Sequence, residues 1–104
     1  MNNDAAFSLH AARLQEIGCL ACRADGRPGV PADLHHPLRG YRMGQYIVLP
    51  LCPHHHRGLC EGSPADAEAK YGPSRALNKK AFVQRYGTDL KLLAMLEGLL
   101  EAKA

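Results

Sequence analysis

Apolar side chains recur at Phe7, Leu9, Ala11, Leu14 and Ile17 along DAAFSLHAARLQEI, residues 4 to 17, with polar positions between them. This mixed three- and four-residue spacing predicts a helix, with Asp4 placed to cap it and Gly18 to stop it. The pattern then breaks. GCLACRADGRPGVP, residues 18 to 31, has no period, and Asp25-Gly26 and Pro28-Gly29 are turn signals, so a knuckle and an irregular loop are expected. Two short extended stretches follow, about 32 to 36 and about 46 to 51, the second (YIVLPL) apolar and β-branched in its first half. The Arg- and Gly-bearing segment 38 to 45 would join them as a hairpin. Pro50 marks either an edge or the end of pairing.

Pro53 suits the first position of a short helix over His54 to Leu59. Residues 61 to 74 read as a connector with about one turn of helix. Ser74 to Tyr86 reads as a helix with Leu77, Ala81, Phe82 and Arg85 on one face. Gly87 ends it, and Thr88 caps a last helix from Asp89 to about Ala102. There Leu90, Leu93, Met95, Leu96, Leu99 and Leu100 form a wide apolar stripe, first of all a core-facing surface and only secondly a partner surface. No repeat or low-complexity tract interrupts the chain. The expectation is an α+β fold in a single domain, residues 1–104, with its core at about 18–60 and C-terminal helices at about 74–102.

A domain of this size has a modest core and gains from a metal or a covalent staple. Four cysteines permit either. No run of 18 apolar residues offers a transmembrane span, and MNNDAAFSLH lacks a basic segment followed by an apolar one, so no export signal and a cytoplasmic location are expected. Outside an oxidising compartment, a CxxC pair near a histidine cluster favours metal over disulfides.

Cys19 and Cys22 can grip one tetrahedral ion, and Cys52 with His55 repeats the spacing to complete Cys3His, a common structural zinc set. Two alternatives stay open: Cys19 and Cys22 as small buried thiols, and His54 or Cys60 as fourth ligand in place of His55. Adjacent residues on a helix point about 100 degrees apart. With His55 on zinc, His56 would therefore face a second site, while His54 has no assigned duty beyond a solvated or phosphate-facing position. His35-His36 lie between the two halves of the zinc clamp, which draws them toward His56. Imidazoles from His35 and His56 can hold a divalent ion, leaving His36 as a base for water. The formal charge of +3 is weak testimony to a nucleic-acid partner. Its distribution says more. Between Cys19 and Arg57 stand Arg23, Arg27, Arg39, Arg42 and Arg57 against Asp25 and Asp33 alone, and Arg27, Arg39, Arg42 and Arg57 are the candidates for holding phosphates.

The pieces GCLACRADG, DLHHPLRGYRMGQ, IVLPLCPHHHRG and KKAFVQRYGTDLKLL, within about residues 18 to 96, together resemble the HNH (ββα-metal) endonucleases. They are most similar to the branch of Ref-type, RecA-dependent phage recombination-enhancement nucleases. The resemblance implies Cys19, Cys22, Cys52 and His55 as structural zinc ligands and His36 as the general base. It implies His35 and His56 as ligands of a catalytic Mg2+ or Mn2+, DNA as substrate, a RecA filament as partner, and a bacterial or phage origin. Cys60 falls where some members place a third histidine ligand, and a thiolate there suits softer metals. Ile47 falls at the family's asparagine position, with Gln45 the nearby polar substitute. Two further readings compete: a zinc-stabilised DNA-binding module that does not cut, and a structural adaptor of a phage or mobile element using its leucine-rich last helix.

Overall fold

The structure, a computed structural model, describes residues 3–35, 48–58 and 62–103, with side chains described from 9 to 102 within those ranges. His36, Arg39, Arg42, Gln45, Ile47 and Cys60 lie outside the described residues. The elements in chain order are α1 (Asn3–Ile17), α2 (Leu20–Ala24), β1 (Asp33–His35), β2 (Leu49–Leu51), α3 (Pro53–Arg57), α4 (Pro64–Tyr71), α5 (Lys79–Tyr86) and α6 (Asp89–Lys103).

Gly18 ends α1 with φ +76, and a Cβ there would stand 2.7 Å from the carbonyl oxygen of Val30. That close approach lets the Cys19 N–H donate to the same oxygen at 2.9 Å, so only glycine fits without displacing the loop. The expected irregular knuckle is partly helical. Cys19 caps α2, its sulfur accepting the Cys22 N–H, and Asp25 closes it.

β1 and β2 pair antiparallel, with Asp33 opposite Leu51, Leu34 opposite Pro50 and His35 opposite Leu49. Pro50 therefore lies inside the ladder and does not end it. Among the described residues the sheet has two strands, so a proline lacking its N–H can face an unpaired edge. β2 runs directly into Cys52, which caps α3, and Gly58 in the left-handed conformation ends that helix. β1, β2 and α3 form a ββα core, and β2 also packs on α1, α2 and α6.

Two helix starts differ from the pattern-based expectation, each through a cap. The connector contains α4, a two-turn helix, because Ser63 accepts the Asp66 N–H at 3.1 Å and Pro64 occupies its first position. α5 starts at Lys79 and not Ser74, since Asn78 accepts the Ala81 N–H. Leu77 accordingly stands before the helix and is 57% exposed. On α6, Thr88 accepts the Lys91 N–H at 3.2 Å as expected, and Leu93, Met95, Leu96, Leu99 and Leu100 of the expected stripe pack on the interior. Leu92 and Leu96, four positions apart, are buried, while Leu90 is exposed. Leu14, Ile17, Leu20, Val48, Leu49, Leu51 and Phe82 complete the interior beneath them. No helix among the described residues is long and apolar enough to cross a membrane.

Candidate metal centre

Two matching local structures build the centre. Each first cysteine caps a short helix and accepts an N–H from three residues on: Cys22 to Cys19 at 3.4 Å and His55 to Cys52 at 3.4 Å. The sulfur is thus held at the helix start, and the fourth residue of each motif turns back beside it. Packing of α2 against β2 brings the two motifs together. The ligand atoms of Cys19, Cys22, Cys52 and His55 all lie within 4.8 Å of one another, and all four residues are buried. Nδ1 of His55 stands 3.5, 3.5 and 3.2 Å from the sulfurs of Cys19, Cys22 and Cys52. The Cys22 and Cys52 sulfurs are 3.8 Å apart. A tetrahedral zinc with bonds of about 2.3 Å to sulfur and about 2.0 Å to nitrogen requires about 3.8 Å between sulfurs and about 3.5 Å between sulfur and nitrogen. The donor set fits.

The electrostatics point the same way. Hydrogen bonds with Cys22 and Cys52, then burial, push the Cys19 thiol far above its ordinary range. Hydrogen bonds from Cys19 and Cys22 pull Cys52 far below it. Three thiols in one buried pocket cannot all ionise without a cation, so they share protons until a dication replaces them. Three thiolates around a dication leave one net negative charge. Nη2 of Arg27 faces it, 3.9 Å from the Cys22 sulfur.

The other nitrogen of His55 is also assigned. Its Nε2–H donates to the Tyr71 carbonyl at 2.8 Å, with the Tyr86 hydroxyl 3.2 Å away. This fixes the tautomer that leaves the Nδ1 lone pair toward the sulfurs. Tyr86 in turn donates to Asp25 at 2.7 Å, and Arg85 donates to the same carboxylate at 3.2 Å. Burial works to raise the Asp25 pKa, but Tyr86 and Arg85 outweigh it and hold the carboxyl below its usual range. Arg85 therefore serves the knuckle from the solvent side and does not lie on a buried face. Neither Asp25, read as a turn residue, nor Tyr86 carried a sequence signal for this role.

A second pair of imidazoles meets beside the zinc-type cluster. Nδ1 of His35 and Nε2 of His56 are 3.2 Å apart. Two nitrogens bound at right angles to one ion at about 2.1 Å stand about 3.0 Å apart, so these rings can share a divalent ion. In β1, Asp33 and His35 project to one face, and α3 packs on that strand. Asp33 Oδ2 lies 3.5 Å from His56 Nδ1. The same oxygen accepts from Arg57 Nε and Nη2 at 3.3 and 3.0 Å. Arg57 is thus anchored at one end of the pair, and its side chain remains 55% exposed. Three consecutive histidines therefore have three destinations. His54 is neither solvated nor a ligand: it is buried, and its Nε2–H donates to the Gly72 carbonyl at 2.7 Å. Cys19, Cys22 and Cys52 form no disulfide.

No curated protein and no solved structure matches the chain. A family model described as "Recombination enhancement, RecA-dependent nuclease" does match, over residues 6–101. With a ββα core, a Cys3His cluster and a match covering nearly its whole length, the chain belongs to the family of recombination-enhancement, RecA-dependent nucleases.

Proposed function

We propose that the chain is a metal-dependent endonuclease that hydrolyses DNA phosphodiester bonds. The observation that carries the reading is the 3.2 Å approach of His35 Nδ1 to His56 Nε2, beside a cluster able to hold a structural ion. Cys19, Cys22, Cys52 and His55 hold zinc, which ties the knuckle to the ββα core. His35 and His56 hold Mg2+ or Mn2+, whose charge steadies the scissile phosphate and the leaving oxygen. His36, the next residue after His35, takes the proton from the attacking water; neutral imidazole near pH 7 suits that task. Asp33 orients His56 and, through its ion pair, Arg57, which is placed to hold the strand. Arg27, Arg39 and Arg42 extend the phosphate contacts, and a RecA filament presents the DNA.

The test is cleavage of plasmid and single-stranded DNA with a panel of divalent ions, each with and without a RecA filament. Ion-dependent cutting by the parent and none by His36→Ala is the expected result. DNA binding without cutting under every condition selects the non-cutting DNA-binding module, the reading favoured by isoleucine at position 47. Absence of DNA binding selects the adaptor.

A further inference from the structure

A cleft of about 290 Å³ lies between α3, α4 and the turn before α5, lined by His54, by Pro64, Ala65 and Glu68, and by Ser74 and Leu77. Two of these residues carry an unmet polar atom. Ser74 is 2% and His54 6% exposed, and neither Ser74 Oγ nor His54 Nδ1 has a hydrogen-bond partner among the described residues. Buried polar atoms are nearly always paired, and one left alone costs stability. Two such atoms on the walls of one cleft point to a partner from outside the chain.

His54 is held in the same way as His55. The Nε2–H of each donates to a main-chain carbonyl, that of Gly72 at 2.7 Å and that of Tyr71 at 2.8 Å. Nδ1 is left in each ring as a lone-pair acceptor. In His55 it faces the three sulfurs, whereas in His54 no donor of the chain meets it. Leu77 adjoins the unmet hydroxyl. The point beside Gly58 where a Cβ would stand is 2.5 Å from Leu77 Cδ1 and 3.5 Å from Ser74 Oγ. More than half exposed, the Leu77 side chain forfeits little packing by turning aside to admit a ligand.

The lining decides the class of ligand. His54 Nδ1, Ser74 Oγ and the Glu68 carboxylate are three acceptors, and an alkylammonium carries three N–H donors and no acceptor. Glu68 supplies the opposite charge, and no lysine or arginine is among the described residues of the lining, so an anion would meet repulsion. The positive end of α4 is offset by its Ser63 cap and by Asp66 in its first turn. Pro64, Ala65 and Leu77 give a methylene stem an apolar wall. A divalent metal ion is poorly served, since one imidazole and one carboxylate fall short of the three protein ligands that even an open zinc site keeps.

We infer that this cleft binds a small aliphatic amine in its ammonium form, with its N–H groups shared among His54 Nδ1, Ser74 Oγ and Glu68. The site uses no member of the histidine pair or of the Cys3His set, and it does not depend on the nuclease reading.

The test titrates the full, zinc-loaded chain at neutral pH with n-butylamine and follows the NMR shifts of the Ala65 and Ser74 amides. 1-Butanol keeps the stem without the charge, and tetramethylammonium keeps the charge without a donor. Saturable shifts with n-butylamine are expected, with binding of the other two weaker by about tenfold or more. Ser74→Ala should weaken n-butylamine binding by about 10- to 150-fold, the range for a hydrogen bond to a charged group. Without ligand it should melt no lower than the parent, since the hydroxyl it removes has no partner to lose. Glu68→Gln, a change at an exposed position of α4, should weaken binding by up to about fivefold. An unchanged spectrum means that water alone fills the cleft and overturns the inference. So does equal binding of 1-butanol, or full affinity in Ser74→Ala. A lower melting temperature of ligand-free Ser74→Ala also overturns it, by showing that the hydroxyl is already paired within the chain.

Discussion

Tyr86 donates its hydroxyl proton to Asp25 at 2.7 Å across 61 positions of sequence, joining the end of α5 to the knuckle that carries Cys19 and Cys22. Because the same hydroxyl lies 3.2 Å from His55 Nε2, this bond orients a metal ligand and fastens a helix at once. Tyr86→Phe keeps the ring, which packs on Phe82 at a centroid distance of 4.9 Å, and removes only the hydroxyl. Partners behind metal-binding histidines typically contribute 10- to 100-fold in affinity. The expected outcome is zinc affinity lowered by about tenfold with the fold retained, read by chelator competition beside circular dichroism. Unchanged affinity would confine Tyr86 to packing.

The ring beneath that bond is part of the interior. Phe82 is fully buried and stands 6.4 Å from His55 between ring centroids. Phe82→Ala leaves a cavity against a ligand, and such truncations cost about 3–5 kcal/mol. Denaturant titration of the zinc-loaded protein should register a loss of that size. A loss below about 1 kcal/mol, the scale of surface substitutions, would mean that α5 is not anchored through this ring.

The ligand spacing was legible in the sequence because helix capping is local: a cysteine three residues before its partner fixes the shape of each half-site without help from the rest of the chain. The ββα order was legible for the same reason, Pro53 marking the start of α3, although Gly58 ends that helix before the expected Leu59. Asp25, Tyr86 and the duty of His54 were not legible. Each depends on a contact from a segment far along the chain, and Asp25-Gly26 reads as a turn whether or not a tyrosine arrives to use its carboxylate. On α6 the stripe from Leu93 to Leu100 was legible, and only the burial of Leu92 in place of Leu90 escaped. In a leucine-rich helix almost every face is apolar, so contact with β2 decides where the stripe ends. Boundaries at Ser63 and Asn78 were readable in principle, since both are good caps.

Zinc uptake should depend steeply on pH, and the sign follows from the protons that must leave. Without metal, burial disfavours the charged form of His55, but hydrogen bonds with Cys22 and Cys52 outweigh it and raise its pKa from 6.5 to about 9. The Cys19 thiol is pushed up as well. Near neutral pH both groups hold a proton that zinc displaces, so raising the pH lowers the competition and tightens binding. Affinity corrected for the chelator's own titration is expected to rise more than tenfold per pH unit between about 6.5 and 9, the window set by the His55 shift. A flat profile would show that both groups are already deprotonated without metal.

Zinc and the fold should be lost together. The four donors lie among Leu20, Ala21, Leu51 and Phe82 in the buried cluster, so removing the ion leaves a pocket of unsatisfied thiols inside the small interior. Cys19→Ser keeps an N-cap oxygen at the start of α2 but removes one thiolate from the donor set. In domains of this size, binding free energy of structural zinc is folding free energy. Chelation of the parent, and Cys19→Ser at any zinc level, should each abolish most of the far-ultraviolet helical signal and the cooperative thermal transition. Persistence of both after complete zinc removal, measured by elemental analysis, would show that the hydrophobic cluster alone sustains the fold.

The histidine pair can be separated from the zinc-type cluster by mutation because adjacent residues of α3 serve them. His56 is outside the Cys3His set and only half-buried, so His56→Ala should fold, keep stoichiometric zinc and lose cleavage under every divalent ion. Asp33→Asn probes the support behind it. The carboxylate lies 3.5 Å from His56 Nδ1 and 3.0 Å from Arg57 Nη2, and the amide keeps the shape while removing the charge. Loss of such a partner typically costs about 10- to 100-fold in metal affinity or activity, so Asp33→Asn should cut more slowly by that factor and need more divalent ion to reach half its maximal rate. The two variants together decide what the pair does. If His56→Ala cuts as fast as the parent, the 3.2 Å approach of His35 to His56 is only a hydrogen bond between two strand-and-helix neighbours. If Asp33→Asn slows cutting without changing the divalent-ion requirement, Asp33 acts by holding Arg57 on the strand, and not by orienting His56.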